Sequence, residues 1–266
     1  MNKIQRFIDK AQTGTPLVCL TAYTTPMARS LAPYVDLLLV GDSMGTVIYG
    51  MDSTQDVTLE MMCAHGAAVV RAEANVPVII DMPHGSYEAS NEQALNNAKQ
   101  LMQETGADGL KLEGGRAISE RISTLVDAGI PVFAHIGLLP QSAPDEGGYK
   151  IKGKTEEQIL NLIEDAKAIE EAGSFAVVIE GTIEEAAARI DTALNIPTIG
   201  IGASAKCSGQ ILVSEDLLGI THGHRPKFAP NYGHVNEHID KATARFAADV
   251  RDGQFPKTEH LYKKKA

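Results

Sequence analysis

Short apolar runs rich in Val, Ile and Leu recur along the chain, each followed by a longer stretch whose apolar positions repeat with helical period. The runs PLVCLTAY, VDLLLVGDS, VPVIIDMP, DGLKLEG, IPVFAHIG, SFAVVIEG and IPTIGIGA read as strands, and a weaker eighth lies near ILVSEDLLGI. Three are announced by the related phrases NVPV, GIPV and NIPT. Proline is tolerated at a strand start, where its missing N–H is least needed. Between the runs lie helical segments such as SNEQALNNAKQLMQETG and TEEQILNLIEDAKAIEEAG. The second opens on Thr155 and stops at Gly173, a cap at one end and a breaker at the other.

Alternating strands and helices predict a parallel sheet covered by helices, hence an α/β fold. About eight such units in 266 residues, with no Gly/Ser/Pro-rich linker, predict one (β/α)8 TIM barrel rather than an open doubly wound sheet. The expectation is a single domain over residues 1–266. From about Asn231 the alternation ends in a C-terminal helix, HVNEHIDKATARFAADV, and a short basic tail, KTEHLYKKKA.

Bulk composition narrows the function. At 44% hydrophobic and 22% charged the chain has ordinary globular proportions. A formal net charge of -10 speaks against nucleic-acid binding. No apolar stretch approaches the roughly 18 residues of a membrane span, and the N-terminal MNKIQRFIDKAQTG is charged and amphipathic, unlike a signal peptide. Cys19, Cys63 and Cys207 show no metal-ligand spacing. A cytoplasmic setting is expected.

In a TIM barrel the chemistry gathers at the C-terminal ends of the strands. The final residues of the runs are Asp42, Asp81, Lys111 with Glu113, His135 and Glu180. Several carboxylates around one mouth repel one another unless a cation is present, and oxygen donors of this kind suit Mg²⁺ or Mn²⁺. Each residue also has a plainer role open to it. Asp42 with Ser43 could cap the next helix, Asp81 could satisfy loop amides, and His135 could be a hydrogen-bonded core histidine. Lys111 and Glu113 alternate along one strand and so share a face.

Two other motifs carry less. GIGASA, residues 200–205, matches a dinucleotide fingerprint but lies late in the chain, outside the first βα turn where that fingerprint works. It reads as a tight barrel loop near a ligand. His222 and His224 lack a third partner for a metal and read as loop residues, with Arg225 and Lys227 beside them as anion contacts.

The ordered stretches VGDSMG, DSTQDVTLEMMCAH, DMPHGSY, LKLEGG, HIGLLPQS, GGYKIKGK, IGIGAS, SGQILV with DLLGI, and PKFAPNY resemble the ketopantoate hydroxymethyltransferase family from about Pro16 to Tyr232. The resemblance implies a TIM barrel of the phosphoenolpyruvate mutase/isocitrate lyase-like type. It implies hydroxymethyl transfer from 5,10-methylenetetrahydrofolate to 3-methyl-2-oxobutanoate, with Mg²⁺ or another divalent cation as cofactor and the folate as co-substrate. It implies Asp42, Asp81 and Glu113 as metal ligands, Asp42, Ser43, Asp81 and Lys111 as contacts of the 2-oxo acid, and Glu180 as the proton acceptor. His135 is a further candidate. A homo-oligomer, a decamer in the family's habit, is implied as well.

The chain departs from the family pattern at Gln55-Asp56, where Leu-Pro is usual, and at His84, where an aromatic is usual. Gly181, Thr182 and Ile183 replace a Cys-Val-Pro stretch, and Ser208-Gly209-Gln210 replaces Asp-Gly-Gln. None of these is a metal or catalytic candidate. Three rival readings stay open: a metal-dependent 2-oxo acid lyase or aldolase, a Schiff-base aldolase acting through Lys111, and an oxo-acid-binding paralogue without turnover. The lyases of the related group carry a Lys-Lys-Cys-Gly-His loop, which this chain lacks.

Overall fold

The computed structural model describes residues 2–221, 223 and 225–263; His222 and His224 lie outside them. Eight parallel strands close into a barrel in chain order. They are β1 (Leu17–Thr21), β2 (Leu37–Val40), β3 (Val78–Asp81), β4 (Gly109–Glu113), β5 (Val132–Gly137), β6 (Ala176–Glu180), β7 (Thr198–Ile201) and β8 (Gly209–Leu212). Pairing of β1 with β8, Leu17 opposite Gly209, completes the ring.

The first seven strands fall where the sequence predicts them. The eighth differs. It starts earlier, at Gly209, and the predicted continuation is a short helix, Ser214–Leu218. Glu215 and Asp216 in its first turn favour a helix N-terminus over a strand. Gly209 hides the strand's true start, because glycine weakens a strand signal. Here it is required: a Cβ would lie 2.5 Å from the Leu17 carbonyl oxygen on the neighbouring strand.

The intervening helices begin and end as their caps dictate. Ser90 accepts a hydrogen bond from Gln93 N to start the helix Asn91–Thr105, and Gly106, with a left-handed backbone, ends it. Thr155 does the same for Glu156–Glu171.

The chain divides into two compact units, residues 1–214 and 215–266. The first holds the whole barrel. Its interior is filled by Leu17, Cys19, Leu37, Leu39, Ile79, Phe133, Ala176, Val178, Ile199 and Ile211, with Ile4 and Phe7 of the N-terminal helix Lys3–Gln12 packed against them. These are every-second residues of the strands, the set that faces inward. In the second unit the helix Val235–Arg251 is followed by an edge-on contact of Phe246 with Phe255, 5.3 Å between ring centroids. Cys19, Cys63 and Cys207 are buried free thiols. No helix among the described residues is long and apolar enough to cross a membrane.

Candidate active site

The inward-facing parity carries the apolar filling straight into a polar layer. Two residues beyond Ile79 is Asp81, two beyond Phe133 is His135, and two beyond Val178 is Glu180. Strand register aligns them: Asp81 sits opposite Lys111, Glu113 opposite His135, and Gly137 opposite Glu180. Asp42 joins from the turn after β2, with its backbone N–H donating to Asp81 Oδ2 at 3.0 Å. The fold therefore gathers Asp42, Asp81, Lys111, Glu113, His135 and Glu180 at the C-terminal end of one barrel.

The first five are buried, whereas the Glu180 side chain keeps 17% of its surface exposed, at the wet edge of the layer. Lys111 Nζ lies 3.0 Å from Asp81 Oδ1 and 3.7 Å from Glu113 Oε1. His135 bridges the layer, Nδ1 3.3 Å from Glu113 Oε1 and Nε2 3.3 Å from Glu180 Oε2. Ser43 is half-buried, and its hydroxyl is 2.8 Å from that of Tyr23. Ser43, not Asp42, occupies the N-cap of the following short helix, without a side-chain cap bond. The capping role open to Asp42 is thus unused. Asp81 does satisfy a loop amide, that of Asp42, but with one oxygen only.

Glycine shapes the rim where β5 meets β6. Gly137 has φ +97, and a Cβ there would lie 2.3 Å from the Glu180 carbonyl oxygen. The absent side chain lets the Glu180 backbone approach and accept from Leu138 N at 2.8 Å.

Electrostatics follow from the crowding. Burial, then the charges of Asp81 and Glu113, push the Asp42 carboxyl well above the usual range. Burial also raises Asp81, although Lys111 pulls the other way. Glu113 is lowered on balance: burial opposes ionisation, but His135 and Lys111 outweigh it. Burial works against the Lys111 charge, yet Asp81, Glu113 and Asp42 overcome it and hold the ammonium above its ordinary value. His135 is likewise disfavoured by burial but carried by Glu113 to about 9.

Among the described residues, no three His, Cys, Asp or Glu side chains stand as a finished cation cage. The Lys111 ammonium lies by Asp81 and Glu113 instead. The donor set nevertheless fits a hard divalent cation. Three buried carboxylates face one lysine and one histidine, and Asp81 Oδ1 is met by the Lys111 ammonium at 3.0 Å and by no neutral donor.

Gln141 and Tyr87 belong to this site and were not singled out by the sequence. Gln141 Nε2 donates to Asp42 Oδ2 at 2.7 Å, and Tyr87 Oη donates to Gln141 Oε1 at 2.7 Å. Both lie in stretches that carry the family resemblance, HIGLLPQS and DMPHGSY, but neither ends a strand. Of the departures, Gln55 reaches this network: its Nε2 donates to the Gln141 carbonyl at 2.8 Å. His84 stands 3.5 Å from Glu88. GIGASA is the end of β7 and a loop that leads straight into β8, not a dinucleotide-binding helix.

A closed parallel barrel with an acid-base layer at its C-terminal mouth defines a TIM-barrel enzyme. Solved structures share the fold: a phosphonopyruvate hydrolase in complex with oxalate and Mg²⁺ (TM-score 0.62, 12% identity, 99% of this chain and 92% of that one). So does 2,3-dimethylmalate lyase, a member of the phosphoenolpyruvate mutase/isocitrate lyase superfamily (TM-score 0.58, 15% identity, 98% and 92% covered). The family model for ketopantoate hydroxymethyltransferase matches residues 1–258. The chain is 50% identical to the 3-methyl-2-oxobutanoate hydroxymethyltransferase of Rhizobium etli over 97% of its own length and 94% of the relative's. It is 52% identical to that of Mesorhizobium japonicum, over 96% and 89%. This chain belongs to the ketopantoate hydroxymethyltransferase family.

Proposed function

We propose that the protein transfers a hydroxymethyl group from 5,10-methylenetetrahydrofolate to 3-methyl-2-oxobutanoate, giving 2-dehydropantoate. The observation that carries this reading is the single layer holding a buried acidic cluster, a charged lysine and, at its wetter edge, Glu180. Asp42, Asp81 and Glu113 would hold Mg²⁺ or another divalent cation. When bound, such an ion supplies positive charge for the 2-oxo and carboxylate oxygens of the substrate.

The remaining steps rest on the chain's own groups. Lys111, kept charged by its carboxylate neighbours, adds a second positive charge where negative charge develops on the substrate oxygen. Ser43 and the Asp42 turn border the place of the 2-oxo acid. Glu180 takes the proton from C3, and His135, 3.3 Å from Glu180 Oε2, orients that carboxylate. The C3 carbon then bonds to the folate methylene as one of its two carbon–nitrogen bonds breaks. Water replaces the second nitrogen as the hydroxyl, and the proton held by Glu180 and one from water complete the departing tetrahydrofolate.

The persistent charge on Lys111 speaks against a Schiff-base aldolase, which needs a neutral amine. The test is transfer by purified protein with Mg²⁺ and the folate, run against a panel of 2-oxo acids. Turnover confined to another 2-oxo acid, or turnover without folate, would overturn the reading.

A further inference from the structure

In the acidic cluster one oxygen of each carboxylate is fixed by a neutral donor, and the second oxygens of Asp81 and Glu113 are left toward the charged centre. Gln141 Nε2 donates to Asp42 Oδ2 at 2.7 Å, and its backbone N–H donates to Glu113 Oε2 at 3.0 Å. Asp42 N–H fixes Asp81 Oδ2 in turn. Asp81 Oδ1 and Glu113 Oε1 are the oxygens that face Lys111. One residue thus supplies two of the three anchors, and the third runs through a residue that it anchors.

The orientation of the Gln141 amide follows from its neighbours. Its NH₂ has two acceptors, Asp42 Oδ2 and the Met82 carbonyl at 2.9 Å. A carbonyl cannot donate, so the amide oxygen must point away from it. That oxygen receives the Tyr87 hydroxyl, and the same hydroxyl oxygen accepts Glu113 N–H at 3.2 Å. Tyr87 therefore locks the amide from the far side and ties it back to β4. Gln141 is 2% exposed, so water does not compete for these bonds.

We propose that Gln141 is the positioning residue of the cation site, fixing Asp42 Oδ2 and Glu113 Oε2 so that the second oxygen of each carboxylate is presented to the cation, and that Tyr87 fixes its amide for that task. This rests on reading Asp42, Asp81 and Glu113 as the cation's ligands. Partners of this kind, one bond behind the ligands, are worth about 10–100-fold in metal affinity.

The experiment is calorimetric titration of Mn²⁺ into the chelator-stripped full chain, comparing wild type with Gln141→Met and Tyr87→Phe. Circular dichroism and melting in chelator identify the folded variants. Wild type should bind, Gln141→Met should bind about 10–100-fold more weakly while folded, and Tyr87→Phe should fall between them. A purely structural role would lower the melting temperature and leave Mn²⁺ affinity unchanged below it. Folded variants binding within twofold of a binding wild type would overturn the role of Gln141 and leave the ligand assignment standing. A wild type that binds no Mn²⁺ would overturn the ligand assignment and the role together. Should Gln141→Met fail to fold, Tyr87→Phe decides alone, because removing one hydroxyl leaves the packing in place.

Discussion

Lys111 Nζ lies 3.0 Å from Asp81 Oδ1, and the two residues are register partners on adjacent strands. The ammonium is the nearest positive charge to a carboxylate that burial disfavours, so it stabilises the cluster before any ligand arrives. Lys111→Met should therefore destabilise the cation-free protein by about 3–5 kcal/mol, the range for a buried pair that loses one partner. Urea unfolding in chelator measures this. Added Mg²⁺ should restore part of the loss, since a ligand of the folded state alone stabilises it.

Asp42 is predicted to be a residue kept at a cost in stability. Its carboxyl is raised by burial and by the neighbouring Asp81 and Glu113, so the folded state holds this proton to higher pH than the unfolded chain. The ionised form opposes folding above the ordinary value of 3.8, and stability from this group is gained as pH falls. Asp42→Asn should raise the melting temperature of the cation-free protein by about 2–4 °C for each kcal/mol relieved. It should also abolish cation-dependent binding of the 2-oxo acid. Calorimetry with and without Mg²⁺ checks the second half, and a lower melting temperature would contradict the first.

His135 gives the opposite pH dependence. Its folded value of about 9 lies above the ordinary 6.5. The stability it contributes is complete below about 6.5 and is lost as pH rises through about 9. In chelator, the urea midpoint of the wild type should fall across that window, and His135→Gln should flatten the fall. Parallel curves for the two proteins would sink this assignment.

Glu180→Gln should retain the fold and binding of the 2-oxo acid, because the amide keeps the shape of the carboxylate. Exchange of the C3 proton of 3-methyl-2-oxobutanoate in D₂O, followed by NMR with Mg²⁺ and no folate, should drop by about 10²–10⁴-fold. Wild-type exchange in the mutant would overturn Glu180 as the base.

Much of the barrel was legible in the chain because its strands are buried on both faces and read as unbroken apolar runs bounded by Pro, Gly and Asp. The same property exposed the candidates, since a charge that ends such a run stands out. Asp42, Asp81, Lys111, Glu113, His135 and Glu180 were all visible this way. The eighth strand was misjudged because Gly209 has no side chain to signal a strand, while Leu217 and Leu218 look strand-like in a segment that folds as a helix.

What one chain's pattern could not reveal was which oxygen of each carboxylate is fixed by a neutral donor. That depends on bonds between residues far apart in sequence: Gln141 to Asp42 across 99 positions, Gln141 to Glu113 across 28, and Tyr87 to Gln141 across 54. Hydrophobic periodicity reports which side of a strand is buried, because burial is a local average over neighbouring residues. Hydrogen bonding is directional and pairwise. It is decided only when closure of the barrel and the turns after β3 and β5 bring Tyr87 and Gln141 within bonding distance of the acidic layer.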